Sequence, residues 1–238
     1  MTTSSAADEG IAGREPLRPS TMRFGRLLID FDARVLQPRP WTTNQSRWAA
    51  KLLRSVPDGP VLELCAGAGQ IGLLGLADQD RELVLVDVDE TACAYARFNA
   101  TRAGLADRVS VRCAAVTEAL EPHERFALVI ADPPWVPSAD VQRYPGDPVH
   151  AIDGGADGLG MAWVCLDVIA DHLLPGGCAL VQLGSADQAA ALGHRLDQMP
   201  ASGLTVTDVR RFDPHGALVL VQRRDQRETS PTVSPAPE

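Results

Sequence analysis

An acidic residue, two prolines and a tryptophan stand where a strand is predicted to leave its sheet. Residues 131–137 are ADPPWVP, and they follow the apolar run 127–130, which is typical of a buried strand. The Asp132 carboxylate and the Pro133 carbonyl can accept hydrogen bonds from the two N–H groups of one planar NH₂. Such acceptors direct the nitrogen lone pair and stabilise the charge that develops on nitrogen. The stretch therefore predicts a catalytic site for a planar nitrogen.

The prolines and the tryptophan predict that this site is rigid. Pro133 and Pro134 fix φ and hold the residues before them in an extended conformation, which keeps the acceptors pointing out of the sheet. Trp135 offers a flat face on which a planar group can stack. The alternative interpretation is a proline-rich turn after a core strand.

A second stretch that could form a functional site is VLELCAGAGQIGL, residues 61–73, where a strand passes through a glycine turn into a helix. This arrangement places backbone N–H groups and a helix N-terminus against a ligand, so Gly67 and Gly69 are cofactor-binding candidates. Asp87 lies twenty residues after Gly67, at the end of the next predicted strand. A carboxylate there can accept hydrogen bonds from ribose hydroxyls. The two features predict a nucleoside cofactor.

Glu63 distinguishes between two such cofactors. Residues 67–72 match GxGxxG, the pattern of NAD sites. A dinucleotide site has an apolar strand before its turn, whereas an acid two residues from the strand end suits a cationic ligand group. S-adenosylmethionine carries both an ammonium and a sulfonium. Glu63 therefore favours S-adenosylmethionine, the alternative being an exposed carboxylate at an edge.

The elements that must position these residues alternate between short β-rich runs and segments of helical period. This predicts an α/β fold with a seven-stranded, mostly parallel, Rossmann-like sheet, an antiparallel last strand and helices on both faces. Predicted strands cover residues 61–66, 82–88, 109–113, 127–131, 178–183, 204–212 and 217–223. Predicted helices cover residues 70–77, 90–103, 159–174 and 186–199, with the third closed by Pro175, Gly176 and Gly177.

The remaining chain is predicted to form an addition and two tails. Residues 24–36 indicate a small β-hairpin, and a helix follows at about residues 43–53. Residues 1–22 and 225–238 lack hydrophobic periodicity and are rich in Pro and Ser, which predicts disordered tails. The predicted organisation is a tail (1–22), a hairpin-and-helix addition (23–56), one α/β domain (57–224) and a second tail (225–238).

Composition narrows the possible functions of the 238-residue chain. Its net charge is −9 and Lys51 is its only lysine, which makes a nucleic acid partner unlikely. No apolar run is long enough to predict a membrane span, and the N-terminus has no secretory pattern, so we expect a cytoplasmic protein. Five scattered cysteines without a CxxC pair predict reduced thiols. The five histidines have no ligand spacing, so no metal site is predicted.

The motifs together resemble the class I S-adenosylmethionine-dependent methyltransferases that carry an (N/D)PP(Y/F/W) motif. More narrowly, VLQPRPWT, LELCAGAGQIG, LVDVDETACAYARFNA, ADPPWVP, AIDGGADGLG and LLPGGCALVQLGSADQ occur in the order found in release factor glutamine N5-methyltransferases. The similarity covers approximately residues 35–223. It implies a methyltransferase fold for the α/β domain and S-adenosylmethionine as cofactor.

The resemblance also assigns roles to single residues. It places the cofactor loop on residues 65–69, beginning with Cys65, the ribose carboxylate on Asp87 and the substrate-gripping residue on Asp132. That family has Asn in place of Asp132 and Tyr in place of Trp135, and an Asp at this position is similar to enzymes that methylate exocyclic amines of nucleobases. Where the family has an acid facing the adenine, this chain has Ala115 followed by Val116. The adenine is therefore expected to be held by backbone and packing at Val116.

Four functional hypotheses follow. The first is an N-methyltransferase for a planar nitrogen, in a glutamine-type side-chain amide of a protein or in an amide or amine of a small molecule. The leading helical domain of the release factor enzymes is not recognisable in the sequence, so the acceptor stays open. The second hypothesis is a nucleobase methyltransferase acting on rRNA or DNA. The third is an NAD-dependent oxidoreductase, and the fourth is a cofactor-binding module without catalysis.

Overall fold

The computed structural model describes residues 19–224, in which strands and helices alternate. The elements are β1 (Ser20–Phe24), β2 (Leu27–Phe31), α1 (Thr43–Leu52), β3 (Val61–Leu64), α2 (Gln70–Leu76), β4 (Leu83–Asp87), α3 (Glu90–Arg102), β5 (Val109–Cys113), β6 (Phe126–Ala131), α4 (Val149–Ile152), α5 (Gly160–His172), β7 (Leu173–Leu183), α6 (Ala186–Asp197), β8 (Leu204–Arg211) and β9 (Ala217–Arg223).

Seven of the strands form one sheet in the order β5-β4-β3-β6-β7-β9-β8. The strands from β5 to β7 pair in parallel, and β9 is antiparallel to both of its neighbours. β1 and β2 form a separate antiparallel hairpin. The predicted α/β fold, with its mostly parallel sheet, antiparallel last strand and N-terminal hairpin, is confirmed.

Helices cover both faces of the sheet because successive side chains of each strand point in opposite directions. One hydrophobic cluster joins side chains of the hairpin, α1, α2 and α3 to one face, where Val61 and Leu85 point. A second cluster joins α5 and α6 to the other face, where Leu62 and Leu64 point. The addition predicted at residues 23–56 thus shares a core with the sheet. No helix between residues 19 and 224 is both long and apolar enough to cross a membrane.

The strand order creates a crevice between β3 and β6. From β3 the chain proceeds through β4 to β5 at one edge, then crosses back to β6 and builds the other half. In open α/β sheets, ligands bind outside the carboxyl ends of the strands at such a reversal of order. The two strand ends meet directly, since the Asp132 N–H donates to the Leu64 carbonyl at 3.4 Å.

Several predicted boundaries were wrong, most clearly those of the hairpin, which spans residues 20–31 and not 24–36, and of the third main helix. β1 begins at Ser20, so residues 20–22 belong to a strand and not to a tail, because they pair with residues 29–31 of β2. The third main helix, α5, ends at His172, and β7 begins at Leu173, inside the range predicted as helix. The cause is a contact between residues far apart in the sequence, because Leu173 pairs with Phe126 of β6, next to a shift of register. Residues 1–18 and 225–238 of the predicted tails lie outside the described part of the chain.

Glu63 and Gly72 form the closest contact between the central strand and α2. The Gly72 N–H donates to Glu63 Oε2 at 2.8 Å, and the glutamate side chain is fully buried. A Cβ added to Gly72 would lie 2.3 Å from Glu63 Oε2 and 3.1 Å from a Leu83 methyl carbon. The absence of a side chain at Gly72 therefore lets α2 approach β3 closely enough for this hydrogen bond.

We expect Gly72→Ala to lower the free energy of unfolding by about 1–3 kcal/mol, because the added methyl group overpacks the core and displaces a buried carboxylate. Urea denaturation measures the change. Gly193→Ala is the matched control, since Gly193 lies in α6 with no atom near its added Cβ. That variant should gain stability, by roughly 0.8–1 kcal/mol, from helix propensity. Equal effects of the two substitutions would contradict the packing argument.

Candidate active site

Two adjacent cavities open at the carboxyl ends of β3, β4 and β6. The first, of about 360 Å³, contains the glycine turn and is called the glycine-loop cavity. The second, of about 180 Å³, contains Trp41 and Trp135 and is called the tryptophan cavity. Asp132 and Pro134 line both, so the ADPPWVP stretch forms the wall between them. A third cavity, of about 460 Å³, lies at the amino ends of the strands and contains none of the predicted site residues.

Five of the predicted site residues line the glycine-loop cavity: Cys65, Gly67, Asp87, Val116 and Asp132. Cys65 and Gly67 follow β3, Asp87 ends β4, and Val116 follows β5, so the parallel strands bring them together at one edge. Further walls come from the chain before α1, from α4 and from α5. The cavity is mainly apolar with few polar groups, which is typical of a cofactor site.

Asp87 holds the glycine turn in place. Its Oδ2 accepts the Gly67 N–H at 2.7 Å and its Oδ1 accepts the Asp89 N–H at 2.9 Å. Burial raises the pKa of the Asp87 carboxyl, although these two hydrogen bonds act in the opposite direction. Each carboxylate oxygen keeps a second lone pair for a ligand hydroxyl. The predicted role of Asp87 toward a ribose is therefore compatible with the geometry.

The glycine turn depends on left-handed backbone. Cys65, Gly67 and Gly69 have φ values of 57°, 54° and 78°. Such a conformation costs a residue with a side chain roughly 1–2 kcal/mol, so Cys65 is a strained position in the floor of the cavity. Its Sγ lies 4.0 Å from the Cys165 Sγ, and this contact together with burial holds the pKa of the Cys65 thiol well above its usual range.

An unpaired polar atom faces the same cavity. Gln70 lines the cavity and is 9% exposed, and its Oε1 has no hydrogen-bond partner among residues 19–224. A buried acceptor without a partner is unfavourable and suits a ligand that brings a donor, such as an ammonium group. Gln70, the apolar walls and Asp87 together fit S-adenosylmethionine.

Two predicted cofactor residues do not line either cavity. Gly69 is the N-cap residue of α2, and its added Cβ would lie 3.0 Å from Leu85. Glu63 lies beneath α2 because it alternates with Leu62 and Leu64 along β3. Its Oε1 has no partner within the described residues, and burial raises the carboxyl pKa well above its usual value. The structure thus shows no path from Glu63 to a cationic ligand, and Glu63 is not an exposed edge carboxylate either.

The tryptophan cavity has aromatic walls and one ion pair. Trp41, Trp135 and Tyr144 line it together with Pro133, Arg39 and Asp147. Trp41 stacks on His215 with ring centroids 4.1 Å apart, and the Arg39 guanidinium pairs with the Asp147 carboxylate. Arg39 and Thr42 line this cavity and not the glycine-loop cavity. The cavity can therefore hold a planar group against aromatic faces.

The loop that carries Trp135 is packed from behind. An added Cβ on Gly184 would lie 2.2 Å from the Trp135 ring, and one on Gly158 would lie 2.2 Å from the Trp135 carbonyl oxygen. Gln188 Nε2 donates to that same carbonyl at 2.9 Å. These contacts hold the backbone and the ring of Trp135 in a closely packed position, and the rigidity of the wall between the cavities stays a prediction.

The Asp132 carboxylate is the most unusual group of the site. It lines both cavities, and no hydrogen-bond donor within residues 19–224 pairs with it. Burial raises the pKa of the Asp132 carboxyl to about 7, and the positive charge of Arg39 partly offsets the rise. No backbone N–H of the described chain bonds to the Pro133 carbonyl oxygen. Both predicted acceptors are thus free to bind an NH₂ group.

Several lining residues were not predicted from the sequence. They are Asp89 and His150, whose side chains lie 3.2 Å apart over the glycine-loop cavity, and Trp41, Tyr144, Asp147 and Gln182 in the tryptophan cavity. Of these, Trp41, Asp89 and Gln182 lie in the motifs VLQPRPWT, LVDVDETACAYARFNA and LLPGGCALVQLGSADQ, which could have indicated their positions. In the described range, no group of three or more His, Cys, Asp and Glu side chains could hold a metal ion.

Comparison with known proteins places this site in context. Residues 45–144 match the family model of the methyltransferase small domain. The chain is 33% identical over 179 residues to the release factor glutamine methyltransferase of Deinococcus radiodurans, covering 72% of this chain and 63% of the relative. It is 28% identical over 192 residues to the ribosomal protein uL3 glutamine methyltransferase of Francisella tularensis subsp. tularensis, covering 78% and 60%. The chain spans about three fifths of the length of these curated relatives.

Solved structures share the fold. The catalytic domain of hMettl16 in complex with MAT2A 3'UTR hairpin 1 has a TM-score of 0.68 at 16% identity, covering 84% of this chain and 75% of that one. The N-terminal domain of human METTL16 in complex with SAH has a TM-score of 0.60 at 18% identity, covering 84% and 76%. Taken together, these findings show that the chain has the fold of class I S-adenosylmethionine-dependent methyltransferases and is similar in sequence to the release factor glutamine methyltransferases.

Proposed function

We propose that the chain transfers a methyl group from S-adenosylmethionine to a planar NH₂ nitrogen held in the tryptophan cavity. The observation that carries the proposal is the position of Asp132, whose carboxylate borders both cavities and has no hydrogen-bond partner among residues 19–224. A nitrogen bound there lies beside the glycine-loop cavity. This satisfies the main requirement of in-line displacement, which is that donor and acceptor be held in contact with the correct orientation.

In this reaction, some residues of the chain bind the donor and others orient the acceptor nitrogen. The donor supplies a methyl group on a sulfonium, an electrophile that needs no metal or redox chemistry. Asp87, Gln70 and Val116 bind and orient it in the glycine-loop cavity. Asp132 and the Pro133 carbonyl accept the two N–H bonds, which turns the lone pair toward the methyl carbon and stabilises the charge that develops on nitrogen. The ionised Asp132 carboxylate can then take the proton that nitrogen releases.

The size of the tryptophan cavity favours a group that projects from a larger molecule. About 180 Å³ is below the range of roughly 300–1,000 Å³ that whole small-molecule ligands occupy. A side-chain amide fits this requirement, and the relatives named above are glutamine methyltransferases of proteins. We therefore propose a protein side-chain amide, of glutamine type, as the acceptor. An amide or amine of a small molecule comes second.

One observation favours a nucleobase amine as a second candidate. Three aromatic residues, Trp41, Trp135 and Tyr144, line the tryptophan cavity, and aromatic side chains stack well on single unstacked bases. The net charge of −9 opposes this candidate because binding of a phosphate backbone needs cations. RNA binding that falls steeply with salt in a gel-shift titration would support it, whereas absence of such binding would remove it.

We expect Asp87→Ala to weaken binding of S-adenosylhomocysteine by about 1–3 kcal/mol, since ribose hydroxyls would lose an acceptor. Titration calorimetry measures the change. Asp58→Ala is the control, because the Asp58 side chain is fully exposed and far from the site. If affinity stayed the same in Asp87→Ala, Asp87 would not contact the cofactor.

We expect Asp132→Ala to lower methyl transfer by at least about a hundredfold, the scale of losing a transition-state acceptor, while affinity for S-adenosylhomocysteine changes only a few-fold. The measurement is transfer of a labelled methyl group into a host lysate separated into protein, RNA and small molecules. Asp140→Ala is the control, since Asp140 forms only an exposed ion pair with Arg143. Undiminished transfer by Asp132→Ala would remove this residue from the mechanism.

The same experiment tests the acceptor class. Label in the protein fraction, released as N-methylglutamine on complete proteolysis, is the expected outcome. Label confined to the RNA fraction would replace the protein acceptor by the nucleobase, and label confined to small molecules would show that the tryptophan cavity admits a whole ligand.

A further inference from the structure

The Asp132 carboxylate has an incomplete set of partners in this structure. It is half-buried at the shared wall of the two cavities, and no N–H or O–H of residues 19–224 donates to it. A carboxylate in such surroundings loses part of its solvation without gaining a hydrogen bond in return, so nearby charges have a large effect on its ionisation. Its ionisation therefore depends on which charges face it.

Acidic side chains predominate among the titratable groups around Asp132. The neighbouring acids come from separate elements: Glu63 in β3, Asp87 and Asp89 at the end of β4, and Asp147 in the loop before α4. The Cys65 thiol and the His150 ring also face the glycine-loop cavity. Among the residues that line the two cavities, Arg39 is the only arginine or lysine, and its guanidinium is engaged by Asp147. The lining residues therefore provide no positive charge that is free of an ion-pair partner.

The donor carries such a charge. The sulfonium distinguishes S-adenosylmethionine from the product, S-adenosylhomocysteine, and the two are otherwise alike in their charged groups. We propose that binding of the positively charged donor makes Asp132 release a proton, so that the hydrogen bonds that hold the acceptor NH₂ are complete only when the donor is present. This inference rests on the proposed function. The inference adds an order of binding to that function, in which the donor binds before the acceptor.

The sign of the linkage follows from the charges. A cation near a carboxyl group favours its ionised form, so the pKa of Asp132 falls from about 7 when the donor binds. Protons are then released on binding, and affinity for the donor rises with pH through the neutral range. The product brings no sulfonium charge and should leave Asp132 as it was. After transfer, Asp132 is ready to accept the proton that leaves nitrogen.

The test is proton-linked calorimetry at pH 7, with S-adenosylmethionine and S-adenosylhomocysteine titrated separately in buffers of different ionisation enthalpy. We expect the donor to release up to about half a proton more than the product, because a group with a pKa of about 7 is half protonated at that pH. The proton passes to the buffer. Subtracting the product titration removes the contribution of the amino and carboxyl groups that both ligands share.

Three variants make the assignment specific. Asp132→Asn keeps the shape of the side chain and should abolish the difference between donor and product. Asp147→Asn removes a negative charge and leaves Arg39 unopposed, so Asp132 is ionised beforehand and the difference should shrink. Arg39→Gln has the opposite effect and should enlarge it, because Asp132 starts more fully protonated. Asp58→Ala, a substitution at a fully exposed side chain, should leave the difference unchanged.

Three results would overturn the proposal. Equal proton release by donor and product would show that the sulfonium does not act on Asp132. A difference that persists in Asp132→Asn would assign the proton to another acid, such as Glu63 or Asp87. Changes of the same sign in Asp147→Asn and Arg39→Gln would exclude control by that ion pair. Failure of both ligands to bind would instead reject the proposed function itself, and is distinguishable from the other results.

Discussion

The meeting of the carboxyl ends of β3 and β6 is the constraint on which the rest of the site depends. The sheet order reverses there, so neither strand is covered by a crossover at that point and a crevice opens beside Leu64. Asp132 is tied to Leu64 by a backbone hydrogen bond and therefore stands at the centre of the crevice. One carboxylate can border two cavities only at such a place. Strand order, more than any single loop, brings the two cavities together.

The sheet could be predicted from the sequence because its parallel strands are buried on both faces. Continuous apolar runs in the central strands, such as residues 83–86 and Phe126–Ala131, indicate strands without any knowledge of partners. The start of β7 could not be predicted in this way. Its first residues, LLPGG, are typical of the end of a helix. They form a strand only because Leu173 pairs with Phe126 of β6. The hairpin boundary at Ser20 was missed for the same reason, since pairing with Phe31 defines it.

The site residues likewise differ in whether a local pattern in the sequence could predict them. Gly67, Asp87 and Asp132 follow strand ends and belong to local motifs, so the parallel sheet alone predicts that they meet. Tyr144 and Asp147 carry no local signal, because a single loop between β6 and α4 brings both to the tryptophan cavity, where Gln182 of β7 also lies. Glu63 was expected to meet a cation because its distance from the turn suggested contact. Its position in the two-residue alternation of β3 directs it under α2, which only the packed structure shows.

The separation of the two cavities has a consequence for how such an enzyme changes over evolutionary time. The walls of the glycine-loop cavity come largely from the ends of β3, β4 and β5, whereas parts of the segments 39–42 and 144–147, together with Gln182, line only the tryptophan cavity. Mutations in these outer segments can alter which molecule is modified and leave intact the machinery that binds the methyl source. A lineage can therefore acquire a new target by drift in surface loops, without passing through an inactive ancestor.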